Sequence, residues 1–355
     1  MTNKLGHRPA LVDAVHIGYQ KTASTWFQNN VIAMLPFIAP IGKPYTIDAK
    51  NNMNLARDFL TCDEYEFKPY YFQNKYREFI EKNKECFTPD KLRLFSMEYL
   101  VGDFYTGANS KQMIDRIYNT FGKTKIIITI REQSDMIESV FRHQIKNGGT
   151  LRIEEMLYFP ISKFTDHSGT PLLFYRFRYH NVIEYCQNLF GKNRVHVLIY
   201  EKLTKEGSAA FLQDFANALG VEEIKLNNTG RRKNEGASYL GITILRIINM
   251  IIPTPYSSPL LLRRLRFFKY SKIIDYFFSP IDKIFLKHFS KNKRFVQNKT
   301  RWFPVLLVKK LTGRYVIGKD NLSIEEDIKK AYAKSNKKTS SLIGVDLSKY
   351  GYSIK

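Results

Sequence analysis

Residues 12 to 28, VDAVHIGYQKTASTWFQ, constrain the fold of this 355-residue chain more than any other stretch. Residues 12–18 are mostly apolar and β-prone, which predicts a buried strand. A short turn follows, carrying Gly18, Gln20, Lys21, Thr22, Ala23, Ser24 and Thr25. From Trp26 the apolar spacing through Phe27, Val31 and Met34 suits a helix. A strand feeding a small-residue turn and then a helix builds an anion site. The turn's N–H groups and the first helical turn converge on one spot, the helix dipole favours negative charge there, and Lys21 adds a full positive charge.

The order of residues narrows the ligand. The nucleotide triphosphatase loop reads G-x-x-x-x-G-K-[ST], with the hydroxyl on Mg²⁺. Here the lysine comes first and the hydroxyls follow, as Lys21-Thr22-Ala23-Ser24-Thr25-Trp26. This resembles the 5′-phosphosulfate loop, K-T-G-[ST]-[ST]-x, of sulfotransferases that use 3′-phosphoadenosine 5′-phosphosulfate (PAPS) as donor. Ala23 replaces a frequent glycine, so the turn there is expected to avoid positive φ, which alanine disfavours. Three further stretches extend the resemblance. The strand KIIITI (125–130) ends in Arg131, and Ser139 follows eight residues later in the next helix. In the family this pair holds the donor's 3′-phosphate, and a strand-end guanidinium is well suited to grip phosphate. VHVLIYEKLTKE (195–206) resembles the strand whose tyrosine, here Tyr200, sits by the adenine. Arg231-Arg232-Lys233-Asn234 resembles a basic turn closing over the 3′-phosphate, and residues 324–352 resemble the terminal helix and tail of bacterial carbohydrate sulfotransferases. Gln20 to Trp26 would then line the donor site, with Trp26 either stacking on adenine or packing in the core.

Strands are expected at 12–18, 92–97, 125–130 and 195–200, and helices at 25–35, 70–83, 110–120, 133–146, 176–190, 208–219 and 324–342. That alternation predicts an α/β fold, a P-loop-type parallel sheet with helices on both faces, and ligands at the carboxyl ends of the strands. The chain reads as one domain over 1–355. An α/β core spans 12–240, a basic amphipathic and mainly helical insertion 241–320, and a helix with its tail 321–355.

Sulfuryl transfer needs a positive charge at the leaving oxygen, for which Lys21 is the candidate, and a base for the acceptor hydroxyl. Glu98, after the strand LRLFS, is the first choice for the base. It would need a raised pKa or close substrate contact, and its apolar neighbours Phe95, Met97 and Leu100 offer burial. Its alternative is a capping or ion-paired carboxylate. His16 is a rival base or a satisfied core histidine, and His143 competes from a helix. No clustered carboxylates or histidines suggest Mg²⁺ or Zn²⁺, so no metal is expected. Three cysteines, Cys62, Cys86 and Cys186, lack metal or disulfide-framework spacing.

The formal net charge is +23, and 261–315 holds fifteen Lys/Arg against Asp275 and Asp282. Interleaved with apolar runs, that segment suits an anionic membrane surface, although a solvated helical subdomain or a groove for a polyanionic acceptor has the same composition. No nucleic-acid module is recognisable. No secretory h-region and no apolar run of transmembrane length occur, so a cytoplasmic protein, peripheral at the inner membrane face, is expected. The acceptor is expected to be a glycan or glycolipid met by 36–90, 147–180 and 240–320, which are rich in aromatics (Tyr65, Tyr70, Tyr71, Phe72, Tyr158, Phe159, Phe174, Tyr175, Phe177, Tyr179). The alternatives are a kinase or triphosphatase, and a non-catalytic protein on the same scaffold.

Overall fold

The computed structural model describes residues 11–104, 107–158, 176–226, 239–251 and 322–355. Strands β1 (Ala14–His16), β2 (Ile38–Gly42), β3 (Leu92–Ser96), β4 (Lys125–Ile130) and β5 (Val195–Ile199) form one sheet in the order β2-β3-β1-β4-β5. All neighbouring pairs are parallel. The described helices are α1 (Ser24–Asn30), α2 (Ala49–Thr61), α3 (Pro69–Lys82), α4 (Ser110–Phe121), α5 (Gln133–Lys146), α6 (Ile153–Tyr158), α7 (Tyr179–Phe190), α8 (Tyr200–Lys205), α9 (Ser208–Leu219), α10 (Tyr239–Ile251) and α11 (Leu322–Ile343).

Successive side chains of a strand point to opposite faces, and here both faces are covered. Leu94, Ile127 and Leu198 pack against Phe27 of α1 and Phe211 and Phe215 of α9. The next residue of β3, Phe95, meets Phe59, Tyr76 and Phe121 from α2, α3 and α4. The fold is therefore α/β, a parallel sheet with helices on both sides. The chain leaves β1 toward β3 and β2 on one side and later places β4 and β5 on the other. β1 thus lies where the strand order reverses, and the crevice of such a sheet opens at the carboxyl ends there.

Four of the five strands and seven of the helices fall where the sequence expects them. β2 was not expected, because Pro40 lies within it and cannot donate to a ladder. It is tolerated because, among the described strands, β2 lies at the edge and pairs only with β3. α2 was hidden by its asparagines. Asn52, Ala56 and Phe59 form its buried face, and Asn52 Oδ1 accepts from Gly42 N at 2.7 Å, so tertiary contacts override weak propensity.

The chain divides into two units, 1–136 with 160–233 and 323–355, and 137–159 with 234–322. The second thus takes 137–159 as well as the segment the sequence sets apart at 241–320. Within it, Asn249 Nδ2 donates to the carbonyls of Ile145 and Gly149 at 2.8 and 2.9 Å, and Arg246 Nε to that of Thr150 at 2.7 Å. Within the first, the C-terminal tail is fastened at the ends of β4 and β5. Gln133 and Asn336 exchange amide hydrogen bonds at 2.7 and 3.0 Å, and Tyr352 donates to Glu201 Oε2 at 3.0 Å. Among the described residues no helix is long and apolar enough to cross a membrane.

Candidate functional site

The turn after β1 is built over a histidine. A Cβ on Gly18 would lie 2.6 Å from His16 Nε2, so only glycine lets the backbone cross the imidazole. Beyond it Thr22 Oγ1 donates to the Tyr19 carbonyl at 2.6 Å, and the Ala23 carbonyl accepts the Phe27 N–H at 3.0 Å to start α1. Lys21 and Ala23 both adopt left-handed backbone, at φ 72° and 59°. The expectation that alanine keeps this turn out of positive φ is therefore wrong. The conformation costs about 1–2 kcal/mol per non-glycine residue. It is held by the Thr22 bond, by the first turn of α1, and by Arg131, whose Nη1 donates to the Lys21 carbonyl at 3.0 Å. Left-handed residues in a tight turn are what allow successive N–H groups to face one anion.

Below the turn, His16 is 1% exposed. Its Nδ1 lies 3.0 Å from Ser96 Oγ and its Nε2 3.1 Å from Thr129 Oγ1, so both ring nitrogens are occupied within the core. Gln28 Nε2 donates to the same Ser96 hydroxyl at 3.2 Å. Burial pushes the His16 pKa down to about 4, with the nearby Glu98 charge offsetting part of the drop. The unfolded chain therefore takes up a proton near pH 6.5 that the folded chain refuses until about pH 4. This contribution to stability is complete above pH 6.5 and is lost as pH falls toward 4, by up to about 3 kcal/mol. Urea unfolding of wild type and His16→Gln at pH 7 and pH 4.5 measures it. The wild type should lose more of its stability, by roughly 2–3 kcal/mol, and equal losses would refute the assignment.

Glu98 opens a short 3₁₀ turn after β3 and is 6% exposed. Its Oε2 accepts from Lys43 Nζ at 2.8 Å. Burial raises its pKa, but the Lys43 ammonium and hydrogen bonds from Lys43 and Ser24 more than offset this, and the carboxyl lies below the usual range. Of the two conditions set for Glu98 as base, the raised pKa is not met: the carboxylate is ion-paired, as its alternative had it, with Lys43 after the unexpected strand β2. Ser24 joins this carboxylate to the first turn of α1. Lys43 and Met97 also line a 440 Å³ pocket with Tyr45, Met53, Tyr99 and Met113.

Arg131 leaves β4 beside the turn. Its guanidinium stands 4.7 Å over the Tyr200 ring, and its Nε is buried with no hydrogen-bond partner among the described residues. The Tyr179 hydroxyl fixes the Arg131 carbonyl at 2.6 Å, and Glu201 Oε1 accepts the Glu132 N–H at 2.9 Å. The structure thus gathers Lys21, Thr22, Ser24, Glu98, His16, Arg131 and Tyr200 around the ends of β1, β3, β4 and β5. Gln20 belongs here too, its Oε1 accepting from Arg176 Nη2 at 2.6 Å. Thr25 is exposed, and Trp26 packs edge-on to Phe211. Ser139 and His143 lie in the part of α5 that belongs to the second unit, where His143 Nε2 is 2.9 Å from Asn147 Nδ2. Arg231, Arg232 and Lys233 fall outside the described residues, as does most of 241–320. Of the aromatics, Tyr65, Tyr70 and Tyr71 are exposed and Phe72, Phe177 and Tyr179 are core. Among the described residues no group of three or more His, Cys, Asp or Glu is placed to hold a metal ion.

Sequence reasoning missed Lys43 and Arg176. The latter sits in LLFYRFRYH, where the aromatics drew attention and the arginine between them did not. No family model matches the chain, and no curated protein does. Among solved structures, the chain is similar to a sulfotransferase from Alicyclobacillus acidocaldarius, with a TM-score of 0.43 and 17% identity over 63% of this chain and 86% of that one.

Proposed function

We propose that this protein is a sulfotransferase that moves the sulfuryl group of PAPS to a hydroxyl of a glycan or glycolipid. The observation that carries the reading is the pairing of the lysine-first cradle with Arg131, anchored through Lys21's own carbonyl at 3.0 Å and retaining a buried Nε with no hydrogen-bond partner among the described residues. An unsatisfied buried N–H is costly, and a phosphate oxygen is a fitting acceptor for it. The turn's N–H groups and hydroxyls would hold the 5′-phosphate and sulfonate, and Tyr200, beside Arg131, would sit by the adenine.

The acceptor oxygen forms a bond to sulfur as the bond from sulfur to the bridging oxygen breaks. Lys21 neutralises the charge that grows on that bridging oxygen, and the hydroxyl proton passes to the Glu98 carboxylate. Adenosine 3′,5′-bisphosphate leaves. His16 works from beneath, filling the space under Gly18 and fixing the turn. The acceptor would approach through the pocket beside Lys43. A peripheral site at an anionic membrane is in keeping with α10, which exposes Ile247 and Met250.

Calorimetric titration with adenosine 3′,5′-bisphosphate and with ATP tests the donor. The bisphosphate should bind in the micromolar range and ATP should not match it. Arg131→Ala should weaken the bisphosphate about 10- to 100-fold, as loss of a charged hydrogen bond does. Equal or better binding of ATP would bring the kinase reading forward. In the same preparation, labelled transfer to small phenols but not to membrane-derived glycolipids would overturn the acceptor class.

A further inference from the structure

Arg176, which bonds Gln20 of the cradle turn, also lines a second concavity that the transfer chemistry above does not use. It has a volume of about 320 Å³ and is lined by Arg176, Arg178, Ser110, Lys111, Asn181 and Tyr185. Three features make it an anion site. Two helices, α4 and α7, begin at it. Neither has a side-chain cap nor an acidic residue in its first turn, so no side-chain carboxylate offsets their dipoles there.

The second feature is Arg176. It is 6% exposed, and its Nη2 and Nη1 are spent on Gln20 Oε1 at 2.6 Å and on the Asp103 carbonyl. Neither partner is an ionised carboxylate. Its Nε is buried without a hydrogen-bond partner among the described residues, and burial draws its pKa below the ordinary value, with the nearby Asp103 opposing. A buried guanidinium in that state is stabilised by any anion that reaches it. The third is Ser110 Oγ at the start of α4, also buried and without a hydrogen-bond partner among the described residues. Of the acids near the pocket, Asp103 offsets part of this charge. Asp115 is engaged by Lys111 at 2.7 Å and by the Tyr185 hydroxyl.

Arg178 also lines a second groove, of about 720 Å³, with His180, Lys334, Lys337 and Lys338. Beside this groove, Glu184 pairs with Lys338 at 2.8 Å. The two cavities share Arg178, and Arg176 ties the first of them to Gln20 of the cradle turn.

We propose that these two cavities bind an anionic glycan, with one carboxylate or sulfate ester of the acceptor seated against Arg176, Ser110 and the N-termini of α4 and α7, and the neighbouring charged sugars along Arg178, Lys334 and Lys337. The inference rests on the sulfotransferase reading and names its acceptor class as a polyanionic carbohydrate. Because Arg176 holds Gln20, the seated anion would also set the distance between the acceptor and the sulfuryl group.

The test is calorimetric binding of a galacturonate tetramer, with the neutral maltotetraose as comparison, to the full chain without donor. The galacturonate should bind and the neutral tetramer should not, and Arg178→Gln and Lys334→Gln together should weaken it about tenfold or more. Arg176→Gln should weaken it further. If that variant unfolds, the Arg178 and Lys334 pair, half-buried and on the surface of α11, still decides the matter. Bisphosphate binding should be unchanged by the surface pair. Equal binding of both tetramers, or galacturonate affinity indifferent to the substitutions, overturns the proposal while leaving the donor reading intact. Loss of bisphosphate preference over ATP with galacturonate binding retained would do the reverse.

Discussion

Lys21→Ala should lower sulfuryl transfer about 10²–10³-fold in kcat, the loss that follows removal of one preorganised stabiliser of a developing negative charge. The effect should fall on kcat more than on the donor's KM, because the ammonium gains most from charge that appears only as the bridging oxygen is released. The substitution is unusually clean here. Arg131 is anchored on the carbonyl of residue 21, which alanine retains, so the neighbouring guanidinium keeps its place. The left-handed backbone at φ 72° costs alanine about what it costs lysine, so the strain in the turn is unchanged. A thermal midpoint within a few degrees of wild type would verify this. Lys21→Arg should restore little, since a planar fork does not replace a compact point charge at a single oxygen. Rate measurement by release of adenosine 3′,5′-bisphosphate decides the matter. A loss under threefold would mean that the cradle binds without catalysing, and the non-catalytic reading would take its place.

Much of this site was legible before any fold was known, and the physics says why. β1, β3, β4 and β5 announce themselves because strands covered on both faces must be apolar nearly throughout. A lysine-first turn between a strand and a helix presents N–H groups and a positive charge that suit an anion. Once the strands are parallel, topology brings Lys21, Glu98, Arg131 and Tyr200 to one edge. What escaped was set by long-range contacts. β2 carries Pro40 and persists only because it lies at the edge, and Lys43 beyond it was lost with it. Ala23 adopts φ 59° because the turn is fastened at both ends, against its own preference. Arg176 was overlooked because burial and partners, not its aromatic neighbours, make it informative.

The second large effect is expected at Glu98, and it turns on the lysine that the sequence did not pair with it. Glu98→Gln should lower kcat about 10²–10⁴-fold, the usual worth of a general base. The sign of its pH dependence distinguishes this arrangement from a base tuned by burial alone. Burial would lift the carboxyl toward neutrality, but Lys43 at 2.8 Å and the Ser24 hydrogen bond bring it below the ordinary range. Glu98 is therefore ionised throughout neutral pH. The acid limb of kcat/KM should lie below the usual carboxylate pKa instead of between 6 and 7. Lys43→Gln removes the largest lowering influence and leaves burial in place, so the acid limb should move up toward neutrality while the rate at high pH is largely kept. Rate–pH profiles of wild type, Lys43→Gln and Glu98→Gln test this together. A Glu98→Gln enzyme within a few-fold of wild type would remove Glu98 as the base. An acid limb unmoved by Lys43→Gln would mean that some other group receives the proton, and that the Lys43–Glu98 pair serves only to hold Ser24 and the start of α1 in place.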